Sequence, residues 1–85
     1  MSDETPLSAE QCRAARGLLG MSQQALADTA GVGLSTVRDL ETERRLVSQG
    51  SLQAIRSALE GAGAQIIDEN GGGAGVRLRK PKARR

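Results

Sequence analysis

Ser35, Thr36, Arg38 and Asp39 fall within one short stretch, and Thr42, Arg44 and Arg45 follow closely. These side chains donate and accept hydrogen bonds and carry charge, but they include no nucleophile beside a base. An arginine fork such as that of Arg38 fits the O6 and N7 acceptors of guanine. It also fits a phosphate, or a nearby carboxylate such as Asp39 or Glu41. The sequence holds no histidine and one cysteine, Cys12. A zinc site of ordinary His/Cys type, a Cys–His dyad and a Ser–His–Asp triad are therefore excluded within one chain. No catalytic residue, metal-ligand set or cofactor site is expected, and the chemistry left is that of recognition.

The helices that must present these residues are legible from their ends. Ser8 with Gln11 forms a capping box, and Leu7 with Cys12 its hydrophobic staple, which starts a helix running to about Leu19. Cys12, Ala15 and Leu19 share one face of it, and Cys12 is expected in the core. Gly20 ends it. Ser22 caps a second helix, residues 23–30, with Leu26, Ala27 and Ala30 inward and Gly31 at its end. Val32 plugs the turn. Gly33 caps a third helix, residues 34–42, with Val37 and Leu40 inward, though glycine offers no side-chain oxygen for the purpose. A loop, residues 43–47, leads to a fourth helix beginning near Ser48, whose apolar stripe is Leu52, Ile55, Ala58 and Leu59. Two short helices joined by a glycine-containing turn, as in residues 21–41, form a helix-turn-helix, which lays its second helix in the major groove of DNA.

After Gly61 and Gly63 the period changes. Residues 64–68 read as a strand, and Val76 and Leu78 alternate with Arg77 and Arg79 beyond a glycine-rich loop. A lone two-stranded hairpin is marginal in water. It must pack on the helices, pair with another chain, or form only on DNA. Pairing with a second copy is the favoured reading, with Ile66, Ile67, Val76 and Leu78 at a homodimer interface. The expected organisation is a flexible N-terminus (residues 1–6), a helical domain (7–62), a β extension serving as dimerisation element (63–79) and a basic disordered tail (80–85).

Composition narrows the partner. There is no Phe, Tyr or Trp, so bases of a single strand cannot be stacked on aromatic rings, and duplex DNA suits the chain better. Residues 1–75 hold six Lys/Arg against all ten Asp/Glu, whereas residues 76–85 hold the other six basic residues and no acid. These six, Arg77, Arg79, Lys80, Lys82, Arg84 and Arg85, are expected to attract a polyanion without regard to sequence. No apolar run reaches membrane-spanning length, the N-terminus does not read as a signal peptide, and a reducing, cytoplasmic setting is expected, nucleoid-associated through DNA. Little of the chain is left to build a small-molecule ligand domain.

Arg16, Ser22-Gln23, Leu26-Ala27, Gly31-Val32, Ser35-Thr36-Val37 and Leu40-Glu41 resemble the Cro/CI (XRE) family of helix-turn-helix regulators, and the ending resembles small bacterial or phage-type members with a β extension. The resemblance implies an all-α fold, a four- to five-helix lambda-repressor-like domain with a short C-terminal β-hairpin or strand. It implies base contacts by Leu34, Ser35, Thr36, Arg38 and Asp39. It implies phosphate contacts by Ser22 and Gln23, to which Thr42, Arg44 and Arg45 are added as backbone contacts. It also implies a buried ion pair between Arg16 and Glu41. The chain departs from the family at Gly33, where Ser or Thr is common, at Glu43, a position often glycine, and at Val47-Ser48, where a proline is often seen. The expected function is a sequence-specific duplex-DNA-binding regulator acting as a homodimer on an inverted repeat, most simply a repressor. The alternative is an interaction module or antitoxin-type protein that docks a partner or RNA polymerase through its C-terminal extension.

Overall fold

A computed structural model describes residues 6–80. Its elements in chain order are α1 (Ala9–Leu19), α2 (Gln23–Ala30), α3 (Leu34–Thr42), α4 (Gln49–Gly61), β1 (Ala64–Ile67) and β2 (Gly75–Leu78). The helix starts follow their caps. Ser8 Oγ accepts from the Gln11 N–H at 3.0 Å and the Gln11 Oε1 accepts from the Ser8 N–H at 3.1 Å, closing the box. Ser22 and Ser48 accept from the N–H of Ala25 and Ser51. α3 starts at Gly33 with no side-chain cap.

Three helices end alike. Gly20, Gly31 and Glu43 take the left-handed conformation, and the next residue's N–H reaches back to the carbonyls of Arg16, Ala27 and Asp39. After the first two, the following residues Met21 and Val32 tuck against the core. Glu43 is the one non-glycine residue with positive φ among the described residues, at 57°. A Cβ in this conformation costs roughly 1–2 kcal/mol.

The core is aliphatic throughout. Cys12, Ala15, Leu26, Val37, Ile55 and Leu59 lie where the four helices meet, nearly or wholly sealed from solvent. β1 and β2 form an antiparallel hairpin in which Ala64 faces Leu78, Gln65 faces Arg77 and Ile66 faces Val76. The hairpin lies on α1 and α4.

This corrects one expectation. Strand pairing closes within the chain, and Ile66 joins the chain's own core at 8% exposure. Ile66, Val76 and Leu78 share the face turned to the helices, because opposite residues of a ladder point the same way. As side chains they do not form an outward seam, and only Ile67 lies on the outer face with Gln65 and Arg77. The hairpin is marginal alone, and packing on α1 and α4 removes that difficulty.

Gln11 fastens the hairpin. Its Nε2 donates to the carbonyls of Ile67 (3.0 Å) and Gly75 (3.4 Å), one on each strand. The side chain is buried, so the same residue completes the α1 cap and pins the sheet. Arg56 on α4 adds a second tie, reaching Asp68 just past β1. Replacing Gln11 with Ala should cost about 2–3 kcal/mol, from a lost cap interaction and the two bonds that tie the strands to α1. Urea unfolding measures the loss, and amide exchange at Gln65 and Arg77 should accelerate well beyond that of Leu26.

Candidate nucleic-acid interface

α3 has two unlike sides. Val37, Leu40 and Glu41 face the interior, while Ser35, Arg38 and Thr42 are exposed and Leu34, Thr36 and Asp39 are half-buried beside them. The inner side is apolar except for Glu41. This carboxylate is buried, with its side chain at 3% exposure, yet it is surrounded by donors. Arg16 grips it with two bonds, Nε to Oε2 at 2.6 Å and Nη2 to Oε1 at 2.7 Å. Cys12 Sγ donates to Oε2 at 3.1 Å, and Gln23 Nε2 donates to Oε1 at 3.0 Å. Arg13 adds a bond from its guanidinium to the Glu41 backbone carbonyl, which lies in the last turn of α3. Arg16 also reaches the Met21 carbonyl at 3.1 Å, so one guanidinium joins α1, the first turn and α3.

The electrostatics follow from this geometry. Burial alone drives the Glu41 carboxyl up, but hydrogen bonds from Arg16, Cys12 and Gln23 outweigh it and hold the group below its ordinary range. The Arg16 guanidinium is pushed up by its bond to Glu41. Burial first, and then the bond to Glu41, raise the Cys12 thiol far above its ordinary value, so it stays a protonated donor. The arginine–glutamate pair matches the expectation for Arg16 and Glu41. Sequence reasoning placed Cys12 in the core without assigning it a bond, and missed Arg13. The available signal was spacing, since Cys12, Arg13 and Arg16 lie at i, i+1 and i+4 on α1.

The outer side carries the recognition candidates. Arg38 is exposed, and among the described residues no carboxylate lies within ion-pairing distance of it. Neither Asp39 nor Glu41 takes up its fork. Ser35 is exposed, Leu34 is half-buried at the first position of α3, and Thr36 makes no cap bond. Thr42 is exposed, but its hydroxyl donates to the Arg38 carbonyl at 2.7 Å, which leaves it as an acceptor toward any outside group. Arg44 and Arg45 are exposed on the loop after α3, beside a fully exposed Leu46.

At the start of α2, Ser22 is exposed and uses its oxygen as the cap, with the hydroxyl proton left to donate. Gln23, expected to face outward, is half-buried with its amide turned to Glu41. Its carbonyl oxygen and second amide hydrogen are what it can offer outside. Arg77, Arg79 and Lys80 are exposed at the far end of the hairpin, Arg77 bonding Gln65 at 2.9 Å. Lys82, Arg84 and Arg85 lie outside the described residues.

Two outcomes follow. The stability that Glu41 supplies is present above the unfolded carboxylate pKa, about 4.3, and is lost as pH falls through the lower folded value. Acid unfolding followed by circular dichroism should therefore steepen below about pH 4.3, and Glu41→Gln should remove that steepening along with part of the stability at pH 7. Glu43→Gly should relax the left-handed joint and raise stability by about 1 kcal/mol in urea unfolding.

A family model described as helix-turn-helix matches residues 13–61, from the first turns of α1 to the end of α4. The hairpin lies beyond the match. No curated protein matches the chain. No helix among the described residues is long and apolar enough to cross a membrane. With the match covering more than half of the sequence, and with α2, its glycine turn and α3 in the arrangement just described, the chain belongs to the Cro/CI (XRE) type of helix-turn-helix family and is a DNA-binding transcription regulator.

Proposed function

We propose that this regulator binds an inverted-repeat operator as a homodimer and represses transcription by occupying a site that polymerase needs. The observation that carries the reading is the contrast across α3. Its inner side is locked to α1 and α2 through Glu41, and its outer side presents Ser35 and an Arg38 with no ionic partner among the described residues. A fixed rod with an unoccupied fork is what direct base readout requires.

Each residue then takes a role. Arg38 binds guanine O6 and N7 on one face of the groove. Leu34 packs on a thymine methyl, while Ser35 and Thr36 touch neighbouring edges and Asp39 accepts from cytosine or orients Arg38. Ser22, Gln23, Thr42, Arg44 and Arg45 hold phosphates on either side, with the N-terminus of α2 as an added anion site. The basic residues from Arg77 onward add attraction that does not depend on sequence. One α3 reads only a half-site. Two copies related by a twofold axis place their helices in successive major grooves about 34 Å apart, which is why an inverted repeat is the expected operator.

Selection of bound sequences from a random duplex pool should yield a palindrome. Arg38→Ala should then lose about 10- to 100-fold in affinity for it, from discrimination of about 1–3 kcal/mol, while random duplex is bound as before. Equal losses on both would make Arg38 a phosphate contact. A reporter whose promoter overlaps the palindrome should fall when the protein is expressed, and a rise would reverse the sign of regulation.

A further inference from the structure

Arg44 and Arg45 stand exposed on the loop after α3, and among the described residues neither has a carboxylate within ion-pairing distance. Leu46 follows them with its side chain wholly in solvent. These residues form one bank of a shallow groove whose floor is apolar, made by Leu40 and Leu52. The other bank is the start of α1, from Leu7 to Glu10. Leu7 is 4% exposed, so the chain enters the body of the protein at this groove.

Charge selects what the groove accepts. Glu10 and Glu43 line it and are exposed, and neither has an ion pair among the described residues. Among those residues the cations lining it are Arg44 and Arg45. A carboxylate in the groove therefore has one favourable place, beside the two arginines and away from Glu10. The five residues before Pro6 bring two carboxylates, Asp3 and Glu4, and no basic side chain. From Leu7 back to Asp3 is four residues, a reach of at most about 14 Å. Pro6 fixes φ at the junction and lowers the entropy lost when the segment is held.

We propose that residues 1–5 lie along this groove in the DNA-free protein, with Asp3 and Glu4 paired to Arg44 and Arg45, and that the phosphates of DNA must displace them. This rests on the reading of the two arginines as phosphate contacts and gives them an internal competitor. The carboxylates stand in for phosphate oxygens, which bond the same guanidinium fork. Exposed ion pairs are weak, but the short tether holds the acids at high local concentration. Because phosphates occur in every duplex, the competitor lowers affinity for all sequences alike. It offsets part of the attraction that the basic residues from Arg77 onward supply, and leaves the contacts of α3 with base edges untouched.

The test compares the full chain with its Asp3→Asn/Glu4→Gln variant, each with and without Arg44→Gln/Arg45→Gln. Affinity for a random-sequence duplex, read by fluorescence anisotropy, should rise about 3- to 10-fold when the acids are neutralised in the parent. In the background lacking both arginines the same change should alter it by less than about twofold. No gain in the parent overturns the competition, and so does an equal gain in both backgrounds, which would be net charge acting at a distance. The DNA-free protein gives an independent readout. At low salt the Nε–H resonances of Arg44 and Arg45 should shift on Asp3→Asn/Glu4→Gln, and resonances that stay in place overturn the docking. If the Arg44→Gln/Arg45→Gln protein binds random duplex as the parent does, the phosphate reading of the two arginines falls, while their resonances in the parent still decide the docking.

Discussion

A buried carboxylate sets the terms for this fold. Glu41 is on α3, whose other side is exposed, but its side chain points inward and collects donors from Arg16, Cys12 and Gln23. An ionised group without such partners would be far too costly to bury. Two of the donor residues come from α1 and one from the first position of α2. The bonds therefore triangulate α3 against both neighbours. Arg13 extends the hold to the backbone of the same residue. Orientation, more than net stability, is what a pair of this kind supplies.

The hairpin applies the same logic to the other end of α1. A four-residue strand pair has too little surface to stand alone, and it is kept by Ile66 in the core and by a single amide that bonds both strands. α1 thus carries two polar fastenings on one helix, Gln11 toward the sheet and Arg16 toward α3. The two are separated by just over one turn, so the placement of the sheet and of the recognition helix is referred to a common rod.

Much of this could be read from the chain. Ser8, Ser22 and Ser48 announced their helices, because a hydroxyl at the N-cap satisfies a backbone donor that has no other partner. Gly20 and Gly31 announced two ends for the opposite reason, lacking the Cβ that resists left-handed geometry. The inward face of α3, Val37 and Leu40, followed from spacing, while its outward residues came with the family resemblance. What escaped depended on contacts remote in sequence. Gln11 was legible as a cap residue but not as the pin for strands more than fifty positions away. Ile66 carried the alternation of a strand, and alternation does not say which body covers its apolar face. Gln23 looked like a surface amide until the fold brought Glu41 within 3.0 Å of it. At Glu43 local preference pointed against the turn, and the helix stops there anyway, closed by backbone bonds from the Glu43 and Arg44 N–H groups to the Leu40 and Asp39 carbonyls.

The missing side-chain cap at Gly33 has a consequence for how the regulator meets its operator. α3 is nine residues long. Its tail is riveted by Glu41, whereas its head begins on a residue with no hydroxyl or carboxylate to hold the opening turn. Backbone bonds from the Thr36 and Val37 N–H groups to the Gly33 carbonyl close that turn, and the Leu34 and Ser35 N–H groups, with no cap side chain before them, stay open to an acceptor from outside the chain.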